Sequence, residues 1–263
     1  MTMEIYGYLA MMLVGIVLGS AGAGGSMFSI PVLLYLFSMN METASAYSLF
    51  LVGVTSLAGI ALKQKQRNFS LGLGMWLGVP SVIGAFIARS YVIGIVPEII
   101  SIHERYHLTK EVLLKALFSL LLIASSVTLL RARRDRQQEN NMRTHHLIPI
   151  GFFTGLAAGL AGAGGGFLIV PSLIVFARLT VAQATATSLL VIASNSLTGF
   201  CGDLITRNIH WPHLLSLTAM AIIGLLLGNW SQNKLQMPFA SQRGVAWTGM
   251  FVGISILIKA WWE

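Results

Sequence analysis

The chain has 263 residues, of which 55% are hydrophobic and only 10% charged, and its mean hydropathy is +0.75. A water-soluble domain carries about 25% charged residues, so this sequence lacks the charge to cover a soluble surface and reads as a membrane protein. Its single cysteine, Cys201, excludes an internal disulfide and any multi-cysteine metal site, and the net charge of +8 reads as membrane topology rather than a nucleic-acid footprint.

Ten apolar segments follow one another, near residues 5–21, 27–39, 44–62, 71–96, 112–130, 147–161, 167–177, 184–203, 213–230 and 244–261. Most approach the length of a bilayer span, about 20 residues. Glu4 and the absence of Lys or Arg before the first segment mark it as a retained helix rather than a cleaved signal. The second and seventh segments are short, and each begins just after a cluster of glycines. A polar stretch from Glu98 to Glu111 separates segments four and five. A second polar stretch, running from Arg131 to Arg143, separates segments five and six.

With the N-terminus outside and all ten segments crossing, eleven Lys and Arg residues fall on the inner side and six on the outer. That bias matches the enrichment of basic residues in cytoplasmic loops. Tryptophans 76, 211, 230, 247, 261 and 262 suit the interfacial belts, and Arg89 near the end of segment four suits snorkelling.

The halves are copies. Gly15-Ile-Val-Leu-Gly19-Ser-Ala-Gly22-Ala-Gly24-Gly25-Ser-Met-Phe-Ser-Ile-Pro31 returns 140 residues later as Gly155-Leu-Ala-Ala-Gly159-Leu-Ala-Gly162-Ala-Gly164-Gly165-Gly-Phe-Leu-Ile-Val-Pro171. The same offset pairs Ser48 with Ser188, Ser56 with Ser196, and Arg67-Asn68 with Arg207-Asn208. The expected organisation is a first repeat over 1–130, a polar cytoplasmic linker over 131–146 and a second repeat over 147–263. Five segments per repeat invert the second copy relative to the first. The fold expected is an all-α polytopic membrane protein with two inverted repeats and Gly-broken helices, an arrangement used by transporters.

The outlying glycines, Gly15, Gly19, Gly151, Gly155 and Gly159, have the spacing of close helix packing. The inner clusters, Gly22, Gly24 and Gly25 with Gly162, Gly164 and Gly165, instead favour irregular backbone. At membrane depth such backbone is tolerated where protein or a cavity surrounds it. Helices restarting toward Pro31 and Pro171 would aim N–H groups and a positive dipole end at an anion. Ser48 and Thr55 share one helical face, two turns apart, and Ser188 and Asn195 repeat them. Thr187, Ser194 and Thr198 widen the second stripe. Hydroxyls of this kind also bond their own helix backbone, whereas a buried Asn195 amide needs partners elsewhere. The candidate anion site is therefore Gly22, Gly24, Gly25, Ser48, Thr55, Gly162, Gly164, Gly165, Ser188 and Asn195.

These residues resemble the sulfite exporter TauE/SafE family of membrane permeases. The resemblance rests on the two glycine-rich segments ending in Pro31 and Pro171, on Ala184-Thr-Ala-Thr-Ser-Leu189 with its copy Ala44-Ser-Ala-Tyr-Ser-Leu49, and on Arg207-Asn-Ile-His-Trp211. It covers nearly the whole chain and implies transport of sulfite, sulfoacetate or related organosulfur anions across the bacterial inner membrane. Two departures stand out: Ser26 replaces the glycine seen at Gly166, and the stretch from Arg89 to Thr109 is longer than the family pattern.

One motif competes. His103-Glu-Arg-Tyr-His107 matches the H-E-x-x-H pattern, in which a helix presents two zinc ligands and Glu104 acts as general base. Asp203, His210 and His213 fall on the same side in this topology and offer a third ligand, so a membrane zinc metalloprotease is the alternative from another class. A passive anion channel is the alternative within transport. No Walker-type sequence is present, and no carboxylate lies deep within an apolar segment, Asp203 and Glu42 sitting at segment ends. The reading is thus of a transporter without enzymatic activity or cofactor. Its partners are a small anion and the bilayer, not nucleic acid, with a homo-oligomer left open.

Overall fold

The computed structural model describes residues 2–63, 70–97, 99–103, 106–131, 144–206, 208–235 and 240–262. Helix α1 (Thr2–Ala21) leads through a 3-10 segment, Gly22–Phe28, into α2 (Ser29–Tyr35), followed by α3 (Met41–Lys63) and α4 (Leu71–Ile87). A π turn, Ala88–Val92, carries α4 into the short α5 (Ile93–Ile95). Strands β1 (Ile99–His103) and β2 (Tyr106–Thr109) then pair as an antiparallel hairpin, a departure from the all-helical expectation. The chain continues with α6 (Lys110–Arg131), a 3-10 turn at Thr144–His146, α7 (Leu147–Ala161), α8 (Gly166–Val175), α9 (Val181–Thr206), α10 (Trp211–Leu235) and α11 (Ala240–Trp262). Among the described residues five helical spans are long and apolar enough to cross a membrane: α3, α4 with α5, α6, α9 and α10. Shorter apolar runs in α1, α2, α7, α8 and α11 bring the described apolar segments to the ten read from the sequence.

Local chemistry recurs at the 140-residue offset. Asn40 caps α3, its Oδ1 accepting the Thr43 N–H at 2.8 Å. Thr180 caps α9 with Gln183 as a reciprocal box, each side chain accepting the other's backbone N–H. Before each cap the backbone closes the same loop, Met39 N–H to Leu33 O and Leu179 N–H to Leu173 O, both 3.2 Å. Ser38 and Arg178 take the left-handed conformation there, at φ 49° and 51°.

Helix α1 packs on α10, α4 on α7, α6 on α11, and α3 on α9. Glycine lets the first two pairs touch backbone to backbone. A Cβ at Gly15 would strike the Ala221 carbonyl, and one at Gly155 the Ser81 carbonyl. Gly224 against Met12 and Gly84 against Phe152 repeat the pattern from the opposite helix of each pair. The α3–α9 pair forms the centre: 61% and 72% of these spans are buried, against 33–39% for the other three. Here a Cβ at Gly199 would lie 3.3 Å from Leu49, and one at Gly59 would lie 3.6 Å from Leu189. The two helices therefore run antiparallel.

Outward faces carry Leu13, Phe86, Phe153, Ile223, Phe251 and Ile258, all exposed. So much uncovered apolar surface is suited to lipid rather than water. Trp76, Trp211, Trp230, Trp247 and Trp262 are exposed as well. At one end of the bundle Tyr47, itself buried, accepts the His210 backbone N–H at 3.1 Å and ties α3 to the start of α10. Tyr47→Phe is expected to cost about 1 kcal/mol, the net contribution of one such bond, read as a lower melting temperature of the detergent-purified protein.

Candidate anion site at the central helix crossing

The second glycine cluster is a tight turn between α7 and α8. Gly162 ends α7 at φ 72°, with its N–H on Ala158 O at 3.0 Å. Gly164 and Gly165 follow at φ 67° and 74°. Three left-handed residues within four positions is a conformation that only glycine adopts without strain. Gly165 then caps α8, its carbonyl accepting the N–H groups of Leu168 and Ile169. Further along, Pro171 lacks the N–H that would bond Phe167 O, and Ser125 Oγ of α6 donates to that carbonyl instead. The first cluster differs. Gly22, Gly24 and Gly25 lie in the 3-10 segment, which runs through Ser26 without the glycine of the second copy. Gly25 packs on α1, where a Cβ would lie 2.6 Å from Leu18 N.

Both clusters meet the α3–α9 crossing. The 3-10 segment packs on α8 and α9, while a Cβ at Gly164 would strike Ser196 Oγ and lie 2.8 Å from Val52. The polar stripe is buried throughout, Ser48, Thr55, Ser188 and Asn195 all being covered. Its members are differently engaged. Thr55 donates to Leu51 O at 2.7 Å and Ser188 to Thr185 O at 2.9 Å, so both hydroxyls turn back on their own helices. Ser48 shares a 2.6 Å hydrogen bond with Ser29 of α2. Asn195 Nδ2 donates to Ser81 Oγ of α4 at 2.7 Å.

The four do not converge on one point. Leu49 faces Gly199 and Leu189 faces Gly59, so Ser48 and Ser188 sit toward opposite ends of the crossing, about 15 Å apart along α3 at 1.5 Å per residue. Of the widening residues, Thr187 is buried and receives the Ser70 N–H at 3.1 Å, while Ser194 is exposed and bonds Leu190 O.

What lies at the crossing is a set of buried polar atoms without a hydrogen-bond partner: Ser56 Oγ, Ser196 Oγ and Asn195 Oδ1. Native interiors satisfy almost all such groups. Ser56 and Ser196 are repeat mates, and that pairing was the only sequence signal for them. An amide end and a hydroxyl can exchange roles, so the end of Asn195 not bonded to Ser81 offers either an acceptor or a donor to a bound molecule.

Two expectations are corrected. Arg89 does not snorkel. It lies within the π turn, 6% exposed, with Nη1 3.5 Å from Asp203 Oδ2. Asp203, read as a segment-end carboxylate, is equally buried at 3%. The H-E-x-x-H motif is not helical. His103 ends β1 and His107 lies in β2, with Ser101 opposite His107 and His103 opposite Tyr106. Opposite strands do not present two histidines as one helical turn does, and Glu104 lies outside the described residues. Among the described residues no group of three or more His, Cys, Asp or Glu side chains is arranged to hold a metal. Cys201 is a free, exposed thiol.

A multi-pass α-helical membrane protein with polar groups buried at a central helix crossing is the class that this fold and site define. The family model described as sulfite exporter TauE/SafE matches residues 8–256, and the chain belongs to that family. Relatives include the probable membrane transporter protein YdhB of Bacillus subtilis, 25% identical over 84% of this chain and 86% of its own. A probable membrane transporter protein of Xylella fastidiosa is 31% identical over 69% of this chain and 67% of its own. One from Haemophilus influenzae is 25% identical over 94% and 95%. No solved structure matches the chain. The protein is a membrane transporter and not an enzyme.

Proposed function

We propose that the chain is a secondary transporter for small anions, sulfite, sulfonates or related organosulfur anions, working by alternating access in a bacterial inner membrane. The observation that carries the reading is the trio of unpartnered buried polar atoms at the α3–α9 crossing, Ser56 Oγ, Ser196 Oγ and Asn195 Oδ1. Hydroxyl and amide donors suit sulfur oxyanions. The start of α8, with its first N–H groups beyond intrahelical reach, adds a positive dipole end nearby. Sulfur-anion chemistry is also what the family description names.

Alternating access calls for two inverted repeats with glycine-interrupted helices. Supporting this arrangement, helix contacts exchange under the 140-residue offset: Gly15 on Ala221 answers Gly155 on Ser81, and Leu49 by Gly199 answers Leu189 by Gly59. In this reading the halves rock about the α3–α9 crossing, and the polar groups there face each side in turn.

Proteoliposomes loaded in turn with sulfite, thiosulfate, sulfoacetate and carboxylates test the reading. Saturable counterflow of at least one sulfur anion is expected, and a passive channel would show none. Asn195→Ala is expected to lower that counterflow about tenfold or more, the loss of one hydrogen bond to a charged ligand. Undiminished flux of every transported anion in Asn195→Ala would place the site elsewhere.

A further inference from the structure

We infer that a groove between α6, α7 and α8 binds an anionic phospholipid, one acyl chain lying in the groove and the phosphate resting on Arg131 and Arg178. The site is separate from the central crossing and goes beyond the transport reading. Helices α7 and α8 form an antiparallel hairpin about the glycine turn, since Thr154 of one and Ser172 of the other share a 3.3 Å hydrogen bond. Along one side of the hairpin runs a cavity of about 400 Å³, walled by Pro149, Phe153 and Ala157 of α7 and by Leu168, Ser172 and Phe176 of α8. A second cavity of about 200 Å³ shares the three α8 residues and extends to Ala124 and Thr128 of α6.

The lining fits an alkyl chain and not the transported anion. Its hydroxyl protons are already committed. Ser172 donates to Leu168 O, which leaves Thr154 to donate to Ser172. Thr128 donates to Ala124 O and Ser125 to Phe167 O. No hydroxyl proton is left for a polar guest. Phe153, Val175 and Phe176 are exposed at the rim, so the groove opens to the bilayer. From Pro149 to Ala157 it runs about 12 Å at 1.5 Å per residue, close to the ~15 Å hydrocarbon depth of one leaflet.

Charge lies at one end of this groove. Pro149 at the start of α7, Phe176 at the end of α8 and Thr128 near the end of α6 mark that end. His145, just before α7, packs edge-on against the exposed Trp76 with ring centroids 5.8 Å apart, a contact that suits the interfacial aromatic belt. Arg131 is three positions beyond Thr128, on the same helical face, and Arg178 is two positions beyond Phe176. Both arginines are exposed, and neither forms an ion pair with a described residue. In the orientation that the basic residues favour, this end faces the cytoplasm, where anionic headgroups attract Lys and Arg.

The first repeat is built differently at the same place. At the 140-residue offset Leu168, Val175 and Arg178 correspond to Phe28, Tyr35 and Ser38. Lys259 of α11 lies over the Tyr35 ring, its Nζ 4.4 Å from the centroid. Rings and a lysine stem stand there in place of smaller side chains, and no arginine follows. A groove with arginines at its mouth in one half only points to a guest rather than to packing.

The test titrates delipidated, detergent-purified full-length protein with phosphatidylglycerol or phosphatidylethanolamine, and native mass spectrometry reads the dissociation constant of the first lipid bound. Wild type is expected to bind the anionic lipid about twenty-five-fold more tightly, at about fivefold for each arginine. Arg131→Gln and Arg178→Gln are each expected to lose about fivefold of that preference without a change in melting temperature, and Lys259→Gln to lose none. Leu168→Phe with Val175→Tyr gives the groove the side chains of the first repeat. It is expected to weaken both lipids about tenfold or more, equivalent to burying about two fewer methylene groups. Equal affinity of wild type for the two lipids overturns the assignment. So does a preference that survives Arg131→Gln combined with Arg178→Gln, or a groove variant that binds both lipids like wild type. A wild-type dimer that the groove variant converts to monomer also overturns it, since the groove would then be an interface between copies.

Discussion

Gly164→Leu is expected to cost about 2–5 kcal/mol of stability and to abolish transport. Two contributions add. The residue sits at φ 67°, a conformation that costs a residue with a Cβ roughly 1–2 kcal/mol. The new side chain would also strike Ser196 Oγ and crowd Val52, and overpacking of a close-packed site costs about 1–3 kcal/mol. Both obstacles belong to the α3–α9 crossing, so relief by movement opens the centre of the protein. Gly164→Ala keeps the backbone penalty and the contact with Ser196, and should fall between leucine and wild type. Gly244 is the control. It is exposed on α11, and a methyl group added there would meet nothing within 4 Å. Gly244→Ala is expected to raise stability by up to about 1 kcal/mol through helix propensity. Melting temperatures in detergent, with counterflow of the transported anion, check the set. A Gly164→Leu protein melting with wild type would show that the turn is not constrained as described.

Gly155→Leu and Gly15→Leu are each expected to cost about 3 kcal/mol or more, the upper end of overpacking penalties. Their obstacles are carbonyl groups of the facing helix, Ser81 O for Gly155 and Ala221 O for Gly15, so no side-chain rotation makes room and the helices must part. The two sites lie in different interfaces, α4–α7 and α1–α10, and their costs should add within about 0.5 kcal/mol. Function should separate them. Parting α4 from α7 carries Ser81 away from Asn195, whereas the residue at the equivalent place on α10 is Ala221, with no such bond to lose. At matched folded yield, counterflow should therefore fall further in Gly155→Leu than in Gly15→Leu. Equal loss of counterflow in the two would remove Ser81 from the site.

Much of the fold was legible before any coordinates. Each apolar segment became a helix because a bilayer span demands internal backbone hydrogen bonding. The 140-residue offset carried over into caps, left-handed loop residues and glycine contacts because each is a local or pairwise consequence of the same residues. Asn195 stood out because an amide cannot be satisfied by its own helix as a hydroxyl can, and its partner is indeed on another helix.

The hairpin was not legible from the motif within it. Three fixed residues in five do not specify a helix, while Ile99, Ile100, Ile102 and Thr109 are β-branched residues that favour strands. Nor did periodicity reveal which hydroxyls were already satisfied: Thr55 and Ser188 bond backward, but Ser56 and Ser196, one and eight positions away, have no partner.

By itself the sequence determined the bilayer as solvent and the recurrence of one phrase at a 140-residue offset, since both follow from composition and spacing along one chain. The tertiary structure alone decided that Arg89 meets Asp203 from another apolar segment, and that Gly164 closes on Ser196 and Val52. Those contacts join residues more than thirty positions apart, and their chemistry depends on distance and burial, which helix packing sets.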